Sequence, residues 1–279
     1  MSSFRERNDR KGPKGPSVDR QRGHVSPQKR SEPRPRSGGY PDQWIWGWHA
    51  VAAALVNPDR PEPRRVLATP DRARQVSELS RPGRDRLDIE IVEAGELSRL
   101  LPSGASHQGV AVHTPALEPA DLFVFEAEPH GVLVMLDQVT DPQNVGAILR
   151  SAAAFGARGV ILQDRRAPPL AGALAKAAAG ALETTPCVQV TNLSRTLDQL
   201  KAAGWRAVGL AGEAPDALAD VLDDAPTVLV LGSEGEGLRR LVSESCDRLA
   251  QIPMPGGFES LNVASAAAVA LYAAGLKKH

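Results

Sequence analysis

The chain has 279 residues, 42% hydrophobic and 4% aromatic, and its 33 basic and 33 acidic residues cancel. That length accommodates two modest domains. No apolar run reaches the roughly 18 residues of a membrane span, and the charged N-terminus lacks the apolar stretch of a secretory signal.

The neutral total hides an uneven distribution. Residues 1–40 carry eleven Lys or Arg against four acids, a balance of +7 that leaves −7 on the remainder. A basic arm on an acidic body suits a polyanionic partner; a solubilising tail is equally compatible with that composition. Rich in Arg, Pro, Gly and Ser, the segment has too little apolar surface to offset its chain entropy, so residues 1–40 are expected to be disordered.

Order is expected from WIWGWHAVAAAL onward, where Trp44, Trp48, Val51 and Leu55 recur at helical spacing and Asn57-Pro58 ends the helix. RRVLAT (64–69) reads as a strand, DRARQVSEL as a helix, DIEIVE (88–93) as a strand, AGELSRLL as a helix and GVAVHT (109–114) as a strand. This is a small α/β unit over residues 41–115. Residues 116–130, with Pro119 and several acids, read as a linker.

A second unit, residues 131–279, begins with GVLVMLD (131–137), a continuous apolar run of the kind buried on both faces of a sheet. PQNVGAILRSAAAFG follows as a helix with Pro142 in its first turn. Then come RGVILQ as a strand, LAGALAKAAAGALE as a helix, CVQVT as a strand, and LSRTLDQLKAAG as a helix ending at Gly204. WRAVGLA and TVLVLG are strands, LRRLVSES a helix, RLAQI a short strand, and an Ala-rich helix starts near Leu261. Strands alternating with helices imply a mostly parallel sheet with ligand sites at the strands' carboxyl ends. Residues 164–225 read as scaffold.

Three polar segments follow buried strands. In DQVTDPQNVGAILR, Asn144 is suited to bind a ligand at the helix entrance and Arg150 to present its fork to an anion; an Asp141 or Thr140 cap with a solvated arginine explains the same residues. LGSEGEGLRR (231–240) is glycine-rich but neither a Walker loop nor GxGxxG. Glu234 and Glu236 would repel a phosphate, which argues against a nucleoside triphosphate or a dinucleotide. An adenosine ligand with a cationic centre and no phosphate, such as S-adenosylmethionine, escapes that objection. IPMPGGFESLNVASAAAVALY (252–272) places Ser260 and Asn262 at the mouth of an apolar helix. One of them can cap the helix, but a cap does not account for both. The histidines are scattered, with no metal-ligand spacing, and Cys187 and Cys246 have none either, so no metal is expected and reduced thiols are.

Taken together, TDPQNVGAILRSAAAFG, VLVLGSEGEGLRRLVSESCD and IPMPGGFESLNVASAAAVALY resemble, in order, the three motifs of the SpoU/TrmH family of SPOUT RNA methyltransferases. WGWHAVAAALVNP and SHQGVAV are similar to the L30e-like substrate-binding domain of that family's 23S rRNA guanosine-2′-O-methyltransferases. The resemblance implies an α/β catalytic domain closed by a deep C-terminal trefoil knot, preceded by a small L30e-like α/β domain that binds RNA. It implies a homodimer with the active site at the subunit interface, in the cytoplasm, acting on large-subunit ribosomal RNA. By motif match, S-adenosyl-L-methionine would be held by Leu231, Gly232, Gly237, Ile252, Met254 and Leu261. Asn144, Arg150, Glu234, Ser260 and Asn262 would serve the transfer of its methyl group to a ribose 2′-hydroxyl. The family's arginine is a proposed general base, yet a guanidinium keeps its proton in proteins. A role in holding phosphate or stabilising charge on the ribose oxygen fits Arg150 better. The long basic tail and the aromatic Phe258 depart from the common pattern. Competing expectations are a tRNA ribose substrate and a non-catalytic RNA-binding assembly factor.

Overall fold

The computed structural model describes residues 43–79 and 87–277; the disorder expected of the basic tail, residues 1–40, lies outside the described residues. Four short strands make the first sheet: β1 (Trp44–Trp46), β2 (Arg65–Ala68), β3 (Ile89–Ile91) and β4 (Val110–His113), in the order β1-β4-β2-β3. β4 is antiparallel to β1 and β2, and β2 is parallel to β3. Helices α1 (Trp48–Val56), α2 (Pro70–Ser77) and α3 (Ala94–Leu100) connect them. Alternation along the strands sorts the side chains. Trp44, Trp46, Leu67 and Ala111 meet Leu97 of α3 on one face. Ile45, Val66 and Val112 belong with Val51 and Leu55 of α1 on the other.

The helix expected from Trp44 therefore begins at Trp48. Trp44–Trp46 pairs with β4, Ile45 opposite Val112, and Gly47 turns the chain at φ 84°. The helical spacing of the tryptophans is overridden by cross-strand pairing, which sequence periodicity does not register.

The second sheet has strands β5 (Val132–Leu136), β6 (Gly159–Gln163), β7 (Cys187–Val190), β8 (Arg206–Leu210), β9 (Thr227–Leu231) and β10 (Arg248–Ala250). Their order is β10-β8-β9-β5-β6-β7, and every neighbouring pair is parallel. The connecting helices are α4 (Phe123–Glu126), α5 (Pro142–Ala154), α6 (Gly172–Ala178), α7 (Leu193–Ala202), α8 (Leu218–Val221), α9 (Arg240–Ser245) and α10 (Val263–Leu276). Val134, Leu136, Val160, Leu229 and Leu231 pack with α5, α6 and α10. The intervening Leu133, Met135, Ile161, Val228 and Val230 pack with Phe125, Leu197 and Val242 on the opposite face. Burial on both faces explains the unbroken apolar runs.

Three local features differ from the sequence expectation. The helix expected over 170–183 stops at Ala178; Ala179 and Gly180 turn left-handed at φ 50° and 99°, and a 3-10 turn follows. A Cβ on Gly180 would sit 3.2 Å from the His49 carbonyl of α1, so the break lets the two segments meet closely. Residues 116–130, read from composition as a linker, pack onto the sheet: Ala120 bridges Val188, and Phe125 is buried beneath Gly159 with its carbonyl accepting from Trp205 Nε1 at 2.8 Å. Residues 218–221 form a helix that the sequence pattern did not mark.

α1 also packs on α6, so the core of the small sheet continues into one face of the large one. A buried ion pair joins them: Arg60 and Glu183, 1% and 3% exposed, meet at 2.7 Å. Asn57 Nδ2 donates to the same carboxylate at 2.8 Å, and Arg60 also donates to the carbonyl of Pro115.

Candidate active site

Because the six strands run parallel, their carboxyl ends share one edge, where ligands of open α/β sheets bind. β9 ends there in Leu231 and enters the turn Gly232–Leu238. The turn closes on itself: Gly237 N donates to Ser233 O at 3.0 Å, with Gly235 and Gly237 at φ 87° and 66°. A Cβ on Gly232 would coincide with the Gly237 carbonyl group, so only glycine fits this crossing.

Next to β9, β5 ends in Asp137, which is fully buried. Its carboxylate accepts from Arg239 N at 2.8 Å and Arg239 Nε at 2.7 Å, tying the end of β5 to the far side of the glycine turn. The sequence pattern assigned neither residue a role. An acid directly after a buried apolar run was the available signal, since a buried carboxylate requires a partner.

Three polar side chains from separate segments meet above this junction. Asp141 caps α5, accepting from the backbone of Gln143 and Asn144, and so sets Asn144 at the helix entrance. Asn262 caps α10, its Oδ1 accepting from Ala264 N at 3.0 Å and Ser265 N at 3.3 Å. Its amide then donates to Glu234 Oε1 at 2.6 Å and to Asn144 Oδ1 at 3.0 Å. Asn144 Nδ2 donates to the same Glu234 oxygen at 3.4 Å, and Val263 N at 3.3 Å. One carboxylate thus gathers the starts of α5 and α10.

Beside this triad lies a cleft of about 510 Å³, within the roughly 300–1,000 Å³ of small-molecule sites. All six residues expected to bind cofactor line it: Leu231, Gly232, Gly237, Ile252, Met254 and Leu261. Glu234 and Ser260 line it too, whereas Asn144, Asn262 and Arg150 do not. The end of β8 adds Leu210, Ala211, Gly212 and Glu213. The sequence pattern marks that stretch only as scaffold, though its place after a strand is a legible hint.

The charge of the cleft is one-sided. Glu213, Glu234, Glu236 and Glu259 line it, and among the described residues no Lys, Arg or His does. Such a wall repels phosphate and favours a cation, and a lining of glycine backbone with Leu231, Ile252, Met254 and Leu261 suits a flat apolar group. An adenosine bearing a sulfonium fits that set of donors, acceptors and charges.

Arg150 stands apart. It is exposed and its side chain has no hydrogen bond or ion pair among the described residues. Six residues along α5 advance about 9 Å and turn about 240°, so Arg150 cannot share the direction of Asn144. Nearby, Phe155 at the end of α5 meets Tyr272 of α10 edge-on at 5.9 Å. With Val269 and Leu276, these residues form an exposed apolar stripe. The two cysteines lie away from the cleft's wall; burial pushes the Cys187 and Cys246 thiols up to about 12. Among the described residues no cluster of His, Cys, Asp or Glu is placed to hold a metal ion, and no helix is long and apolar enough to cross a membrane.

Residues 131–272 match the SpoU rRNA Methylase family. The chain is 40% identical over 237 residues to the 23S rRNA (guanosine-2'-O-)-methyltransferase RlmB of Nitrosomonas europaea, covering 82% of this chain and 90% of that one. It is 40% identical over 234 residues to the protein of the same name in Coxiella burnetii, covering 82% and 93%. Among solved structures it is similar to the SpoU methyltransferase AviRb from Streptomyces viridochromogenes in complex with AdoMet. The TM-score is 0.70 and the identity 27%, over 84% of this chain and 89% of that one.

Proposed function

The chain belongs to the SpoU rRNA methylase family, and on that premise we propose that it transfers a methyl group from S-adenosyl-L-methionine to a guanosine ribose 2′-hydroxyl of 23S ribosomal RNA. The observation that carries this reading is the cleft itself: four carboxylates and, among the described residues, no basic side chain, built from the second and third motif loops and the end of β8.

When bound, S-adenosylmethionine supplies a methyl group made electrophilic by its sulfonium. Gly232 and its neighbours would hold the adenosine through backbone groups, while Ile252, Met254 and Leu261 flank it. Glu213, Glu236 and Glu259 would attract the cationic part of the cofactor. Asn144, Glu234 and Asn262 lock one another, so they would present fixed donors and acceptors to the ribose, and such positioning lowers the barrier of an in-line displacement. Ser260 would hydrogen-bond the nucleotide at the cleft's mouth. Its hydroxyl is too weak a base to take the ribose proton alone.

Arg150 would act across a subunit interface. It points away from its own chain's triad, and the uncovered stripe of Phe155, Val269, Tyr272 and Leu276 offers a face for a second copy of the chain. In the homodimer the guanidinium would reach the partner's cleft and stabilise developing charge on the ribose oxygen. The family's trefoil knot is compatible with the course of the chain, in which residues 252–262 return beside the glycine turn after β9. Residues 41–115 would be the L30e-like domain that binds RNA, joined through 116–130 to the catalytic domain, 131–279. A ribosomal RNA substrate would place the protein in the cytoplasm.

The test is methyl transfer from labelled S-adenosylmethionine to 23S rRNA, followed by mapping of the modified nucleotide. A 2′-O-methylguanosine is expected; label on a base, or no label, sinks the reading.

A further inference from the structure

We propose that Arg165, Arg166 and Arg195 form a phosphate-binding track that carries the substrate RNA away from the cleft. The proposal rests on the reading of the protein as an RNA methyltransferase and adds the surface by which it would hold the strand.

Most arginines around the large sheet are already engaged. Arg206, Arg239, Arg240 and Arg248 each pair with a carboxylate, and Arg158 donates to the carbonyl of Glu128. Arg165, Arg166 and Arg195 are exposed and have no side-chain hydrogen bond or ion pair among the described residues. On a body whose net charge beyond residue 40 is −7, three arginines near one another without a carboxylate in ion-pair contact are a local exception.

Their positions follow from the sheet. β6 runs level with β5, Leu162 opposite Leu136, and the 3-10 turn Asp164–Arg166 follows at once. β7 runs level with β6, Val190 opposite Gln163. Two residues later Asn192 caps α7, its Oδ1 accepting from Arg195 N at 3.1 Å. All three arginines therefore stand at the carboxyl edge, the edge that holds the cleft. β6 and β7 are two and three strands from β9, roughly 10 and 15 Å at a strand spacing near 4.8 Å. Along that edge the charge runs from the carboxylates over β8, β9 and β10, through the neutral amides of Asn144 and Asn262, to the arginines over β6 and β7.

Both arginine segments are held in shape. Ala167 N donates to Asp164 O at 3.2 Å, and Pro168 and Pro169 restrict the exit from the turn. Asp164 is exposed in the same turn and offsets one of the three charges. Guanidinium groups on such frames lose less entropy on meeting a phosphate than those on mobile chain, and they bind phosphate oxygens in pairs. The polarity also has a use: a polyanion entering over β6 and β7 is repelled by the acidic cofactor wall, so it would stop with a ribose at the cleft's mouth.

The experiment measures binding of a 23S rRNA fragment by fluorescence anisotropy across a salt titration. It uses the full-length protein and Arg165→Ala/Arg166→Ala/Arg195→Ala. The triple variant is expected to bind RNA at least tenfold more weakly. The slope of log affinity against log salt should fall by about 1.4 to 2.1, near 0.7 for each single-strand phosphate no longer neutralised. Triple replacement by Lys should recover much of the slope. Arg248→Ala, which removes one charge from the opposite edge strand, should leave the slope unchanged, and S-adenosylmethionine affinity by calorimetry verifies that each variant is folded. A triple variant with unaltered affinity and slope overturns the track, as does an equal effect of Arg248→Ala. Failure of the unaltered protein to methylate the fragment counts against the proposed function instead, because the binding measurement needs no turnover.

Discussion

Asn262 donates to Glu234 at 2.6 Å while its own side-chain oxygen caps α10. One amide thereby joins the last helix to the glycine turn after β9. Asn262→Ala removes the cap and the link together. Losing an Asn cap costs about 1 kcal/mol, so the melting temperature is expected to fall by about 2–4 °C in calorimetry, the scale for a domain of this size. Methyl transfer should fall further than stability does, because Glu234 and Asn144 lose the group that aligns them. Glu234→Gln, which retains an acceptor oxygen, should be milder than Glu234→Ala.

Gly232 has no room for a side chain, since a Cβ would overlap the Gly237 carbonyl. Gly232→Ala is expected to open the turn and weaken S-adenosylmethionine binding at least tenfold in a calorimetric titration. Unchanged affinity would show that the turn does not shape the cofactor site.

Arg150 and the cleft are predicted to work in trans. Arg150→Ala alone should cut methyl transfer at least a hundredfold with cofactor affinity held within about twofold; losing one charge-stabilising donor costs this much in other enzymes. Mixing Arg150→Ala protomers with Gly232→Ala protomers should restore activity, because a heterodimer pairs an intact cleft with an intact arginine. If mixing restores nothing, the arginine acts within its own chain or not at all.

The Arg60–Glu183 pair should be costly to break and cheap to replace. Glu183→Ala leaves a buried guanidinium without its carboxylate, a loss of about 3–5 kcal/mol measurable by urea unfolding. Arg60→Met with Glu183→Leu should recover most of that loss. If Glu183→Ala is neutral, the pair contributes nothing to holding the two sheets together.

His113 gives stability a pH dependence of known sign. Burial first, and then Arg64 and Arg65, push its imidazole below the ordinary 6.5. Folding therefore favours the neutral ring. That contribution is whole above about pH 6.5 and is lost as pH falls from there through the folded-state value. Unfolding free energies measured from pH 7.5 to 5 should decline with falling pH, and His113→Gln should flatten the decline. An equal decline in the variant would assign it to other groups.

Much of the large sheet was legible because its strands are buried on both faces. An apolar run such as Val132–Leu136 has few alternatives to a central strand. Six residues of the cleft's lining were legible through the resemblance their motifs carry, whereas Leu210–Glu213 after β8 was not. The small sheet was harder: Trp44 stands at helical spacing from Trp48, Val51 and Leu55, and only β4 as a neighbour makes Trp44–Trp46 a strand. The break after Ala178 was hidden for a similar reason, since nothing in an alanine-rich run announces that α1 must approach it.

The sequence by itself determined the alternation of strands and helices, the three polar loops at strand ends and the resemblance their residues carry, because local pattern and residue chemistry are properties of neighbours along the chain. Tertiary structure decided which loops meet. Asn144, Glu234 and Asn262 are separated by up to 118 residues and touch because β5 and β9 are paired and α10 returns to them. It also decided that Glu213 joins the cleft. Proximity in space depends on strand order and helix phase, and long-range pairing energies set both.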